Sequence, residues 1–242
     1  MNPSIIIPVL TAELPPAPAI PPGILSGYLI DLAVVIIGVT AAFMLNAWRE
    51  RHLDRQRERK YFAGFETDIE SDLVQLREIV GQESARRDRM ASCIASMKDG
   101  SQTIEAGMAI MMDVMTIVRF RPNRTTFTSL MNAGHMDSTG DFAFRARLVR
   151  LHDEFDSVAE KEEMLREFVS GFAMPFTYRH MNMIGGTFLD AGIVKTPGFI
   201  NLVLGYSTLL NQNLEAYLVL EGVVTDFRDD VRRRLGRRPA SR

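Results

Sequence analysis

The chain has 242 residues, 24% of them charged, with a formal net charge of −2. That near-neutral balance leaves no global basic footprint for nucleic acid. The single cysteine, Cys93, excludes an internal disulfide.

Residues 1–25 carry no Lys, Arg or His and are rich in proline, including Pro15, Pro16, Pro18, Pro21 and Pro22. This composition predicts an extended, disordered tail. A cleaved secretory signal is disfavoured, because its first region should be basic. Residues 26–48 follow with one charge, Asp31, and an uncharged run over 32–45. A bilayer core of about 30 Å needs roughly 20 helical residues, and this stretch supplies them. No polar stripe is wide enough to face water, so the pattern predicts one transmembrane helix. Tyr28 and Trp48 stand at its ends as interfacial anchors.

Arg49, Arg51, Arg55, Arg57, Arg59 and Lys60 follow the span. Basic flanks mark the cytoplasmic side, which favours a cytoplasmic C-terminal domain. The opposite, periplasmic orientation stays open, because the cytoplasmic one requires the uncharged tail to cross. The same cluster is predicted to face anionic lipid, worth about 1 kcal/mol per basic residue near the surface.

Removing tail and span leaves about 190 residues, enough for one domain with a real core. Over 49–236 the apolar spacing is helical. The first helix continues from the span through Phe62, Phe65, Ile69, Leu73, Leu76 and Val80, with Gly64 and Gly81 as tolerated weak points. Asp99, Gly100 and Ser101 read as a cap and turn. A second helix carries Ile104, Met108, Met111, Met115 and Val118 and stops at Pro122. A short piece spans 125–133 and ends at Gly134, before a loop with a helix cap at Asp141. The third long helix carries Phe144, Leu148, Leu151, Phe155, Val158, Leu165, Phe168 and Phe172, with a charged face at Glu160, Lys161, Glu162 and Glu163. Gly171 and Pro175 are placed to bend its end. Residues 182–198 read as a connector. The fourth helix is phased on Ile200, Leu204, Leu210, Leu214, Tyr217, Val224, Phe227 and Val231. Residues 237–242 form a basic tail. The expected fold is all-α: one N-terminal transmembrane helix continuing into an antiparallel four-helix bundle.

Two blocks carry a resemblance. The first is Val34-Val35-Ile36-Ile37-Gly38, then Asn46-Ala47-Trp48-Arg49-Glu50, with Asp31 early in the span. The second is Thr126 to Gly134, followed by Arg147-Leu148. Together they resemble a bacterial family of single-span membrane proteins known only as a domain of unknown function. That resemblance implies membrane location and a helical domain, and no activity. The uncharged tail departs from the family, whose members are often basic there.

At about 100° per residue, Asp31, Gly38, Ala42 and Asn46 share one helix face. Small residues allow close helix approach, and intramembrane polar groups face protein. The face is therefore a candidate surface for self-association or for another membrane protein. The competing reading leaves Asp31 among the headgroups. A proton-linked accessory subunit, with Asp31 as carrier, is a third reading of the chain.

His52, His135, His152 and His180 show no metal-ligand spacing and read as solvent-facing, with His135 near a cap. No phosphate loop or nucleophile elbow occurs. No enzyme, metal or cofactor is expected. Met108, Met111, Met112 and Met115, with Met131 and Met136, read first as core filling and second as an adaptable groove. Phe120, Phe127 and Phe142 are placed to close one end of the bundle. The leading expectation is a membrane-anchored interaction or scaffold protein. The alternative is a sensor or ligand-binding bundle with a pocket near residues 120–144.

Overall fold

The computed structural model describes residues 22–136 and 139–237, with side chains from Asp31 onward. The predicted tail up to residue 21, the side chain of Tyr28, loop residues Asp137 and Ser138, and the basic tail from Arg238 lie outside the described residues. The chain divides into two compact units, Met1–Leu53 and Asp54–Arg242.

The structure is all-α apart from one minute ladder. Helix α1 spans Pro22–Asp99, α2 Ile104–Met115, α3 Thr125–Asn132, α4 Phe142–Phe168, α5 Met174–His180 and α6 Pro197–Arg234. Strands β1 (Met181–Asn182) and β2 (Thr187–Phe188) pair antiparallel within the predicted connector.

The local signals act as capping chemistry requires. Gly100 and Gly134 adopt φ of +74° and +66° after α1 and α3, a conformation that costs glycine least. Thr103 accepts from the Ala106 N–H at 3.2 Å, and Asp141 from the Phe144 N–H at 2.8 Å. Both satisfy an otherwise orphaned amide of a first helical turn. Pro175 has no N–H to donate, and the helix adjusts just before it. Val169–Ala173 form a π turn, in which the Met174 N–H reaches back to Val169 O.

In the second unit two buried clusters form the core. The first gathers Phe62, Phe65, Leu73 and Leu76 of α1, Phe144, Leu148 and Phe155 of α4, and Phe227 and Val231 of α6. Its rings meet edge to face at 5.0 Å (Phe62 and Phe144) and stack at 5.3 Å (Phe144 and Phe227). Such pairs add about 0.5–1.5 kcal/mol beyond burial. The second cluster joins Met90 and Cys93 of α1, Ile110, Met111 and Val114 of α2, and Phe199, Val203, Tyr206 and Leu210 of α6. Helices α4 and α6 run antiparallel. Phe144 meets Phe227 at one end, and Glu162 meets Tyr217 further along.

Several sequence expectations are corrected. α2 stops at Met115, because Thr116 turns extended (φ −89°, ψ 113°). The first turns of α6 bury Phe199, Val203 and Tyr206, whereas Leu204, on the predicted stripe, is exposed. Gly64 is a point of close approach. A Cβ there would lie 2.7 Å from Thr126 Oγ1, whereas Gly81 has open space around it. Phe142 is exposed, while Phe120 is buried in the first cluster.

Candidate functional site

Four features stand out: the apolar part of α1, a loop pinned by carboxylates, a buried charge cluster and a methionine-lined groove.

α1 is, among the described residues, the one helix long and apolar enough to cross a membrane, and its apolar window is wholly unburied. Leu32, Ile36, Phe43 and Trp48 are all exposed. Asp31, Gly38, Ala42 and Asn46 are exposed on the same helix. Nothing lies within 4 Å of a Cβ built on Gly38. The Asn46 amide donates to Glu50 at 3.2 Å, and Trp48 stacks on His52 at 5.8 Å. Arg49, Arg51, Arg55, Arg57, Arg59 and Lys60 are each exposed. Two already have partners: Arg51 donates to Ala47 O, and Arg57 to Asp54.

The segment joining α2 to α3 has no helical bonds for its own amides. Side chains of α1 and α4 supply acceptors instead. The Phe120 N–H donates to Glu162 at 2.7 Å, Arg121 N–H to Gln75 at 2.8 Å and Asn123 N–H to Asp72 at 2.8 Å, and in the first turn of α3 the Thr126 N–H donates to Asp68 at 2.9 Å. Glu162 also accepts from the Tyr217 hydroxyl at 2.7 Å. Burial pushes the Asp72 carboxyl up to about 7. The Asn123 amide opposes that rise, and the neighbouring Asp68 charge adds to it. Burial likewise raises Glu162, against the pull of the Phe120 and Tyr217 donors. Sequence reasoning placed Glu162 on a charged face. The detectable signal is its register: Phe155, Val158, Glu162 and Leu165 share one stripe at steps of three and four.

In the second cluster, buried Arg86 donates to Glu83 at 2.7 and 3.0 Å. Arg89 forks onto Asp113 with two bonds of 2.7 Å. The Tyr206 hydroxyl donates to the Asp113 carbonyl at 3.2 Å. Burial pushes Tyr206 up to about 12 and raises Glu83, with Arg86 pulling Glu83 back. Two cations match two anions, so the cluster ties α1, α2 and α6 together without net charge to offer a ligand. Cys93 borders it, and burial raises its thiol, which keeps it un-ionised and inert as a nucleophile.

The histidines part from expectation at His152. It is half-buried, its Nδ1 lies 2.9 Å from Leu148 O, and its ring lies 3.6 Å from that of Phe127. Burial lowers its pKa. His135 meets the Tyr61 hydroxyl at 2.8 Å. Among the described residues, no group of three His, Cys, Asp or Glu side chains is placed to hold a metal ion.

The methionines also divide. Met111 is buried core, but Met112 is 69% exposed. Met108, Met111, Met112 and Met115 line one wall of a groove of about 580 Å³, and Met181 and Met183 of the hairpin region line the other. The groove lies beside the second cluster and outside the 120–144 connector. α2 comes close to the chain before α6 because position 107 is glycine. A Cβ there would lie 2.6 Å from Val194.

These features define an all-helical protein with one exposed apolar helix and a thioether-walled groove. Compared with family models, curated proteins and solved structures, the chain matches none.

Proposed function

We propose that this is a single-span membrane-anchored interaction protein whose helical domain, an antiparallel four-helix bundle, is held beside an inner membrane and self-associates through its membrane helix. One observation carries the reading: the uncharged run 32–45 lies in a helix whose apolar window has no protein covering it. Leaving that surface in water would be costly, and lipid removes the cost. The family resemblance of the first block agrees. The flank charges favour a cytoplasmic domain, and the basic cluster 49–60 is suited to anionic headgroups.

The test is extraction. The full chain should stay in the membrane pellet through alkaline carbonate and be released by detergent. Release by carbonate alone would refute anchoring. Gly38→Ile should reduce self-association in a fluorescence-transfer assay, and since space is open around Gly38 the helix itself should tolerate the change. Unchanged transfer would remove the Asp31, Gly38, Ala42 and Asn46 face as the contact. A C-terminal reporter active only in the periplasm would reverse the orientation.

The groove favours a second reading, a ligand-binding domain on the same anchor. Its volume falls in the range of small-molecule sites, about 300–1,000 Å³.

A further inference from the structure

The groove wall has an unusual composition. Among the described residues six of the eleven that line it are methionine, and none is Leu, Ile, Val or Phe. An ordinary apolar pocket would be built from those hydrocarbons. The sulfurs come from two directions. Met108, Met112 and Met115 share one face of α2, at steps of four and three, while Met181 and Met183 approach from the hairpin region. Met112 and Met183 are 69% and 59% exposed, so thioethers stand at the solvent edge. Buried Thr177 donates its hydroxyl to Ala173 O at 2.8 Å, and the Met115 sulfur lies 3.8 Å from the same hydroxyl oxygen. One formal charge lines the groove, the carboxylate of Glu105.

We propose that this groove binds a soft monovalent d10 cation, copper(I) in the cell, through the thioethers of Met108, Met112, Met115, Met181 and Met183. The proposal rests on the ligand-binding reading and names its ligand class. Thioethers are soft donors that select copper(I), whereas zinc, nickel and copper(II) want imidazole, thiolate or carboxylate sets. Among the described residues the lining offers no imidazole and no thiolate, and its one carboxylate, Glu105, balances one positive charge. The unbranched methionine side chains can swing their sulfurs inward without moving the backbone.

Silver(I) is the probe, because it shares the charge and softness of copper(I) and is stable in air. The full chain, carrying Cys93→Ala so that no thiol competes, is placed in lipid nanodiscs with its methionine methyls isotopically labelled. Silver nitrate is titrated in chloride-free buffer. The expected result is a saturable shift of the groove methionines, with Met90 and Met131 unmoved. Met112→Leu with Met183→Leu keeps the apolar surface and removes two donors. It should weaken silver binding by about tenfold or more, and fold retention is read from the unmoved Met90 signal. Silver binding of unchanged strength in the leucine variant overturns the proposal, as does a shift shared equally by Met131. A third result separates the two readings. If 1-anilinonaphthalene-8-sulfonate shifts the groove methyls while silver does not, the groove is an organic-ligand pocket and the metal assignment falls alone.

Discussion

Around Phe144 the carboxylates of Asp68, Asp72 and Glu162 hold main chain while those of Glu66 and Asp230 pair with arginines, whereas around Tyr206 Glu83 and Asp113 hold arginine side chains alone. In the first region Asp68, Asp72 and Glu162 receive amides from a loop that lacks helical partners. In the second, Glu83 and Asp113 are matched by Arg86 and Arg89. The packing differs in the same way. The first core is built of interlocked rings with narrow geometric preferences. The second mixes aliphatics with Met90 and Met111 around the rings of Phe199 and Tyr206 and is flanked by the methionine-lined groove. An irregular segment inside a core demands fixed acceptors and rigid walls. A groove open to solvent tolerates looser ones.

That contrast can be broken at three points. The largest effect is expected from Phe144→Ala, which should destabilise the chain by about 3–5 kcal/mol. Met111→Leu, equally buried in the other core, should cost less than about 1.5 kcal/mol. Thermal unfolding of the two variants side by side checks this, and equal losses would erase the distinction between rigid and adaptable cores.

Next, Glu162→Ala strands the Phe120 amide and the Tyr217 hydroxyl. Each stranded donor costs about 1–3 kcal/mol and removal of a buried carboxyl offsets part of that sum, so a loss of about 2–4 kcal/mol is expected, with amide exchange rising first at Phe120. Protection retained there would mean that the loop holds itself.

The smallest effect sharpens the electrostatics. Asp72 has a folded-state value of about 7, above its ordinary 3.8. The folded chain therefore keeps the proton that the unfolded chain releases. The stability contributed by the protonated form is complete below about pH 4 and is lost as pH rises to about 7. Asp72→Asn keeps an acceptor for the Asn123 amide and cannot ionise. It should stabilise the protein by about 2 kcal/mol at pH 8, roughly half the full value of the shift because solvent screens the carboxylate, and change little at pH 4. A stability gain that is the same at both pH values would show that Asp72 does not titrate in this way.

The sequence was legible where one periodicity dominated. The helical stretches of α1, α4 and most of α6, and the caps at Asp141 and Gly134, followed from spacing and turn chemistry. The end of α2 was not legible, because Thr116 to Phe120 is apolar enough to continue a helix. What stops it is the set of acceptors on α1 and α4, distant in sequence. Glu162 was misplaced because a run of four charged residues looks like one solvated face, although adjacent residues point around the helix. The groove was half legible. Methionines at helical spacing marked one wall, but the other comes from Met181 and Met183, whose approach depends on a two-residue ladder too short to leave an alternating pattern.

The π turn at Val169–Ala173 has an effect beyond accommodating Pro175. One extra residue in a helical repeat rotates everything after it by about 100°. It thus acts as a phase shifter between α4 and α5. Before it, the chain follows the stripe Val158, Glu162, Leu165 and Val169. After it, Phe172 faces solvent and Thr177 faces inward, against Met115. Shortening the turn by one residue would restore the α4 phase and swing Thr177 out of the wall. The aim of one sulfur in the groove is therefore set by a single inserted residue several positions upstream.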